Sequence, residues 1–179
     1  LEPLQISLRR IKLERLDGES GSRTGRAHCT TNNQPRICRV ANGIIDEGCK
    51  KDARVAYLGK NSDYFFEVVL GTIKSATVAV GVNWRLAPPE VSYVINDSKS
   101  EIVFVSEDFY PVIEQIRDEL TTVKKIIAID DNHPTHDGYL TWRDSNSDAE
   151  IYVETNMNDD VIQLYLSLIH ISEPTRLRR

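Results

Sequence analysis

Cysteine is scarce and badly spaced. Cys29, Cys38 and Cys49 are odd in number and form no C-x-x-C pair, which speaks against both a disulfide framework and a zinc knuckle. Long hydrophobic runs are missing as well: stretches such as 76–82 fall far short of the roughly 18 apolar residues that span a bilayer, and no charged start precedes an apolar secretory segment. A soluble, cytoplasmic protein with no transmembrane segment is expected. Nor is there an excess of positive charge, since 22 basic against 27 acidic side chains leave a net charge of -5. That balance opposes a basic phosphate-binding surface and demotes nucleic acid as a main partner, so none is expected. A length of 179 residues gives one domain or a piece of something larger, not a complete multidomain enzyme.

Aromatic residues are absent from the first 39 positions, which carry seven Arg and one Lys against four acids. Residues 40–165 hold all 13 aromatics and a net charge of -11, so the capacity to build a core is concentrated there. Within that stretch the periodicity alternates. Val40, Ile44 and Ile45 share a helical face that stops at Gly48, and residues 54–58 follow as a buried strand. Asn61 or Ser62 can cap a helix over 62–74 whose Phe65, Phe66, Val68, Val69 and Leu70 are apolar nearly all round, which predicts a helix deep in the core. Strand 78–82 follows. Pro88 and Pro89 suit the first turn of a third helix, before strand 102–105. Ser106 is expected to cap a fourth helix with Phe109, Ile113, Ile116 and Leu120 on one stripe, returning through strand 124–129. Residues 130–159 are acidic and rich in Asn, a loop-rich excursion before a last strand at 161–165. Strands apolar on both faces, alternating with helices, predict an α/β fold with a mostly parallel sheet and flanking helices.

These segments carry a resemblance. Residues 40–43 (Val-Ala-Asn-Gly), 50–56 (Lys-Lys-Asp-Ala-Arg-Val-Ala), 74–78 (Lys-Ser-Ala-Thr-Val), 82–91 (Val-Asn-Trp-Arg-Leu-Ala-Pro-Pro-Glu-Val) and 158–165 (Asn-Asp-Asp-Val-Ile-Gln-Leu-Tyr) resemble, in order, the amino-terminal part of the AMP-forming acyl-CoA synthetases. The stretch from Asn83 to Ser98 is most similar to the fatty-acid-CoA ligase branch. The departures are small: Asp52-Ala53 stands where that family usually has Gly-Asp, and Ala76 where it usually has Gly. The resemblance implies a partial amino-terminal domain of the adenylate-forming fold over 39–165. It also implies a parent enzyme that uses ATP, Mg²⁺ and coenzyme A to turn a fatty acid or other carboxylate into an acyl-adenylate and then a thioester. A stand-alone α/β binding or interaction module of shared ancestry is the alternative.

In that family a glycine-rich phosphate loop follows the strand ending at Tyr165, because glycine lets backbone N–H groups reach phosphate oxygens. Here residues 166–176 contain no glycine and resemble instead the translation of a transposon adapter used in sequencing libraries. Residues 166–179 are therefore expected to be adapter translation, and residues 1–38, which match the family poorly, an out-of-frame or divergent leader. Both are expected to pack poorly, and the β-prone run 164–171 to leave an unpaired strand that templates aggregation.

No catalytic, cofactor-binding or metal-binding residue is assigned, and this chain is not expected to hold ATP, Mg²⁺ or coenzyme A by itself. Four groups are candidates. Gly59-Lys60 resembles the end of a P-loop, but Arg54 and Asn61 break the pattern and leave a strand-to-helix turn. His133 and His136, beside Asp130, Asp131 and Asp137, could hold a divalent metal, although acidic loops are commonly just solvated. Asn83, Trp84 and Arg85 fall at the carboxyl end of a strand, where open α/β sheets bind ligands, against the plainer alternative of Trp84 packing and Arg85 pairing with an acid. Lys124-Lys125 reads as a solvated strand edge.

Overall fold

The computed structural model describes residues 4–9, 34–129, 133–156 and 158–166. In chain order the elements are β1 (Leu4–Arg9), α1 (Gln34–Asp46), β2 (Arg54–Leu58), α2 (Asp63–Lys74), β3 (Val78–Val82), α3 (Pro88–Asp97), β4 (Ser100–Val105), α4 (Tyr110–Ile116), β5 (Lys125–Ala128), β6 (Asp137–Gly138), α5 (Tyr139–Ser145) and β7 (Asp160–Leu166). The seven strands form one sheet in the order β1-β7-β3-β2-β4-β5-β6. Six run parallel, and β1 pairs antiparallel with β7.

The expected α/β architecture is present, and alternation along each strand explains its two cores. Val55 and Tyr57 of β2, with Ile102 and Phe104 of β4, face α1, α2 and α5 through Val40, Ile44, Val68, Tyr139 and Trp142. Ala56, Leu58, Val103 and Val105 point the other way, to Val91, Val94 and Ile95 of α3 and Ile113 and Ile116 of α4. Strands buried on both faces read as unbroken apolar runs, which is why the sequence displays them so plainly.

Several expectations need correction. Helix α1 begins at Gln34, with Pro35 in its first turn, and buries Ile37 and Cys38, while Leu4–Arg9 is a strand. Parts of the 1–38 leader thus join the fold; residues 10–33 and 167–179 lie outside the described residues. Strand β7 is not left unpaired, because it sits between β1 and β3. Helix α2 is not buried all round: it turns Glu67, Val68, Gly71 and Thr72 inward and leaves Phe66 and Leu70 exposed. Gly71 decides this orientation, since a Cβ there would fall 2.4 Å from Val40 Cγ1; the two helices cross where one has no side chain.

Ser106 makes no side-chain cap. The chain passes through a 3-10 turn at Glu107–Phe109 before α4, which Pro111 starts, and a second turn at Arg117–Glu119 ends it. The excursion over 130–159 contains a helix, α5, whose Trp142 enters the space left by Gly43. Asp52 and Ala76, the two residues standing where the resembled family usually has glycine, have φ of 65° and 56°. Both occupy left-handed backbone, the conformation glycine adopts at least cost.

Candidate functional site

The connections define a switch point. From central β2 the chain goes through α2 to β3 on one side, then through α3 to β4 on the other. The carboxyl ends of β2 and β4 therefore part in opposite directions, and the crevice between them is where open α/β sheets hold ligands. Gly59 follows β2 there. A Cβ at Gly59 would lie 2.4 Å from Ser106 Oγ and 2.9 Å from Tyr57 Cε1, so only glycine lets the two strand exits approach this closely. The Ser106 N–H donates to Leu58 O at 3.0 Å, extending the ladder one step beyond the strands.

Side chains from three loops meet over this edge. Lys60 Nζ donates to Asp108 Oδ2 at 2.7 Å and stands 5.7 Å from the Trp84 ring centre. Asn83 accepts the Arg85 N–H through Oδ1 at 3.0 Å, a local turn that presents Trp84. The Arg85 guanidinium stacks on that indole at 4.5 Å, not on an acid as the plainer alternative had it. Phe109 supports the indole from beneath at 6.2 Å, and Trp84 remains 37% exposed. The result is a partly exposed indole with two cations over its ring. Just behind it Tyr57 Oη meets Ser62 Oγ at 3.1 Å, and burial pushes the Tyr57 phenol above its usual pKa.

The remaining candidates separate. Gly59-Lys60 is the β2–α2 turn, with Ser62 capping α2 by accepting the Phe65 N–H. Lys124 and Lys125 pair with Glu101 and Asp137 respectively. Asp130 and Asp131 lie outside the described residues. His133 and His136 do come together, their rings stacked at 4.6 Å and 20°, and the acid beside them is Glu114 of α4, whose Oε1 is 2.6 Å from His136 Nε2. Glu114 is distant in sequence, and no spacing signal could have joined it to the histidines.

Sequence reasoning also missed a buried polar group on the opposite side of the sheet. Glu67, 3% exposed, accepts hydrogen bonds from Tyr139 Oη at 2.9 Å, Arg143 Nη1 at 3.1 Å and Arg36 Nη1 at 3.3 Å. Arg143 also donates to both oxygens of Asp144, at 2.8 and 3.1 Å. Burial and the neighbouring Glu67 carboxylate push the Tyr139 phenol far up, so it remains a neutral donor. This group fastens α1, α2 and α5 together, a structural role.

Comparison with known proteins follows the same outline. The profile of a family described as AMP-binding enzyme matches residues 33–171. The chain is 34% identical over 130 residues to the fatty acid–[acyl-carrier-protein] ligase ScoC of Streptomyces coeruleorubidus, covering 72% of this chain and 24% of that protein. It is 33% identical over 96 residues to the 3-hydroxybenzoate–CoA/4-hydroxybenzoate–CoA ligase of Thauera aromatica, covering 54% of this chain and 18% of that protein. Among solved structures, the Mycobacterium tuberculosis fatty acyl CoA synthetase superposes with a TM-score of 0.67 at 33% identity, over 74% of this chain and 26% of that one. The chain thus spans about a quarter of the length of these relatives or less.

Proposed function

The chain belongs to the family of AMP-binding enzymes, and from that premise we propose that it is the amino-terminal part of an acid–thiol ligase acting on a fatty acid. In this reading the carboxylate attacks the α-phosphorus of ATP, pyrophosphate leaves, and the acyl group then passes from AMP to a thiol, that of coenzyme A or of an acyl carrier protein. Positioning and charge stabilisation supply the rate, as in other phosphorus-centred displacements. The observation that carries the reading is the family match over 33–171. The fatty-acid choice rests on the names of ScoC and the Mycobacterium enzyme, and the aromatic acids named for the Thauera ligase are the competing substrate class.

This chain's own contribution is the switch-point edge. Trp84 gathers Arg85 and Lys60 over its ring, bringing two cations to the edge where a phosphate-bearing ligand would sit. When bound, Mg²⁺ neutralises phosphate charge. The carboxylate described at this edge, Asp108, is already paired with Lys60, so no Mg²⁺ ligand is assigned among these residues. No glycine-rich phosphate cradle follows β7, because residues 166–176 lack glycine. Losing one donor to developing charge costs about 100- to 1000-fold in rate; a chain without the whole loop has no measurable turnover. Pyrophosphate release from ATP over a panel of fatty and aromatic acids tests this. Residues 1–179 are silent, and a version extended with a family phosphate loop and the domains beyond it turns over. Release above the no-protein control by residues 1–179 refutes the inactivity.

A further inference from the structure

We infer that Glu114, His133 and His136 form a divalent metal site of the zinc class that fastens the β5–β6 crossover to α4. The crossover is unusual in this sheet. The connections β2–β3, β3–β4 and β4–β5 each carry a helix, whereas the described residues between β5 and β6 form none. A parallel connection without a helix has no apolar stripe to hold it down, so side chains must do so. His133 packs edge-on against Tyr110 of α4 at 4.4 Å, and His136, its side chain 5% exposed, is paired with Glu114.

The three groups each offer one ligand atom, and these atoms lie within 4.8 Å of one another. Zinc bonds of about 2.0–2.1 Å in a tetrahedral arrangement place ligand atoms roughly 3.3 Å apart. The His136–Glu114 contact of 2.6 Å need open by less than an ångström, and the His133 ligand atom, within 4.8 Å of the other two, must close by at most roughly 1.5 Å to reach the separation set by such bonds. Glu114 is exposed on its helix, and its other oxygen pairs with the exposed Arg117 at 3.8 Å, a surface contact of little energy that a metal can displace. His133 Nδ1 accepts the N–H groups of Thr135 and His136 at 3.2 and 3.1 Å and meets the Thr135 hydroxyl at 3.3 Å, an orientation that fixes the ring beside His136 and Glu114. Binding there releases both N–H groups, that of exposed Thr135 to water. Two imidazoles and one carboxylate suit zinc, nickel or copper and disfavour magnesium and calcium, which take oxygen. Asp137 does not join the set, because it pairs with Lys125. The fourth position is left to water.

The test uses the full chain without an affinity tag, stripped with EDTA, and zinc chloride or cobalt chloride as the probe. Equilibrium dialysis with elemental analysis reads stoichiometry, and the visible absorption of the cobalt-loaded chain reads coordination geometry. One ion per chain is expected, with a thermal midpoint that rises on zinc and falls back with EDTA. His133→Ala and Glu114→Gln each weaken binding by more than the roughly tenfold that loss of an outer partner costs. Glu114→Gln, at an exposed helix position, folds as the parent does, so its loss of binding is not a folding defect. A double change His28→Ala/His170→Ala leaves the affinity intact. The inference is overturned by no uptake at about 100 μM zinc, far above the affinity of structural sites, or by uptake that survives His133→Ala and Glu114→Gln.

Discussion

Replacing Gly71 by Ala sets two effects of known sign against each other. In an open helix interior the change gains about 1 kcal/mol of helix propensity. Here the new Cβ would fall 2.4 Å from Cγ1 and 2.8 Å from Cβ of Val40, and Val40 is fully buried with nowhere to retreat. Restoring carbon contacts of about 3.5–4.0 Å requires α1 and α2 to part by roughly 1 Å, which also stretches the 3.3 Å Arg36–Glu67 contact. Overpacking of this kind costs about 1–3 kcal/mol, so against the propensity gain of about 1 kcal/mol a net loss of up to about 2 kcal/mol is expected. With a urea slope of about 2 kcal/mol/M, the midpoint falls by up to roughly 1 M, read by far-UV circular dichroism. Val40→Ala alone loses about 2–3 kcal/mol by removing two buried methyl equivalents. The double variant is less unstable than the sum by about 1 kcal/mol, because Cγ1 is gone while Cβ still crowds. A stabilised Gly71→Ala, or additivity within about 0.5 kcal/mol, refutes the close-crossing argument.

Glu67→Gln keeps shape but strips the charge that faces Arg143 and Arg36; equilibrium denaturation should show a loss of about 2–4 kcal/mol, below a fully broken buried pair because Asp144 still holds Arg143. Hydrogen bonding from Arg143 holds the Asp144 carboxyl below its ordinary 3.8, so its stabilisation is complete above that value and is lost as pH falls through the lower folded value. Unfolding midpoints of the parent and Asp144→Asn should therefore differ by a constant amount above about pH 5 and converge below pH 4; a gap independent of pH would falsify the pairing. Burial, with Glu101 adding to it, pushes the Cys49 thiol up to about 12, so iodoacetamide at pH 8 should spare Cys49 in the native chain and label it in urea, read by peptide mass spectrometry. Lys99, exposed with φ of 56°, carries left-handed strain of about 1–2 kcal/mol; Lys99→Gly relieves it against about 0.4–1 kcal/mol of added unfolded-chain entropy, and a net gain near 0.5–1 kcal/mol should appear as a higher denaturation midpoint.

What was legible in the sequence follows from how each signal arises. Strands β2 to β5 are apolar on both faces, and a run such as 102–105 needs no partner to be recognised. Helix α2 misled because apolar content does not fix rotation: Gly71 against Val40 turns Glu67 inward and Phe66 outward, a decision made by another helix. Helix α5 was hidden for a similar reason. Its seven residues hold just three apolar side chains, too few for a period, and the space for Trp142 is a glycine about a hundred positions earlier. At the candidate site, Asn83, Trp84 and Arg85 were visible because a strand end could be located. Lys60 and Asp108 joined them through topology alone, as Glu114 joined the two histidines.

The pairing of Leu4 with Leu166 bears on how the sheet is assembled in time. Strands β2 to β5 follow one another along the chain through single helices and can nucleate from nearby contacts. Strand β7 must instead find β3 across the whole central region, and β1 must then find β7 across nearly the entire chain. Pairings of that sequence separation are entropically late, and proteins dominated by them fold slowly. A chain emerging in order therefore holds a finished central sheet with the free edge of β3 waiting for β7. During that interval Val78–Val82, apolar and uncharged, is open to strands of other molecules. Yield on refolding should thus depend on protein concentration far more steeply than the stability of the finished sheet suggests.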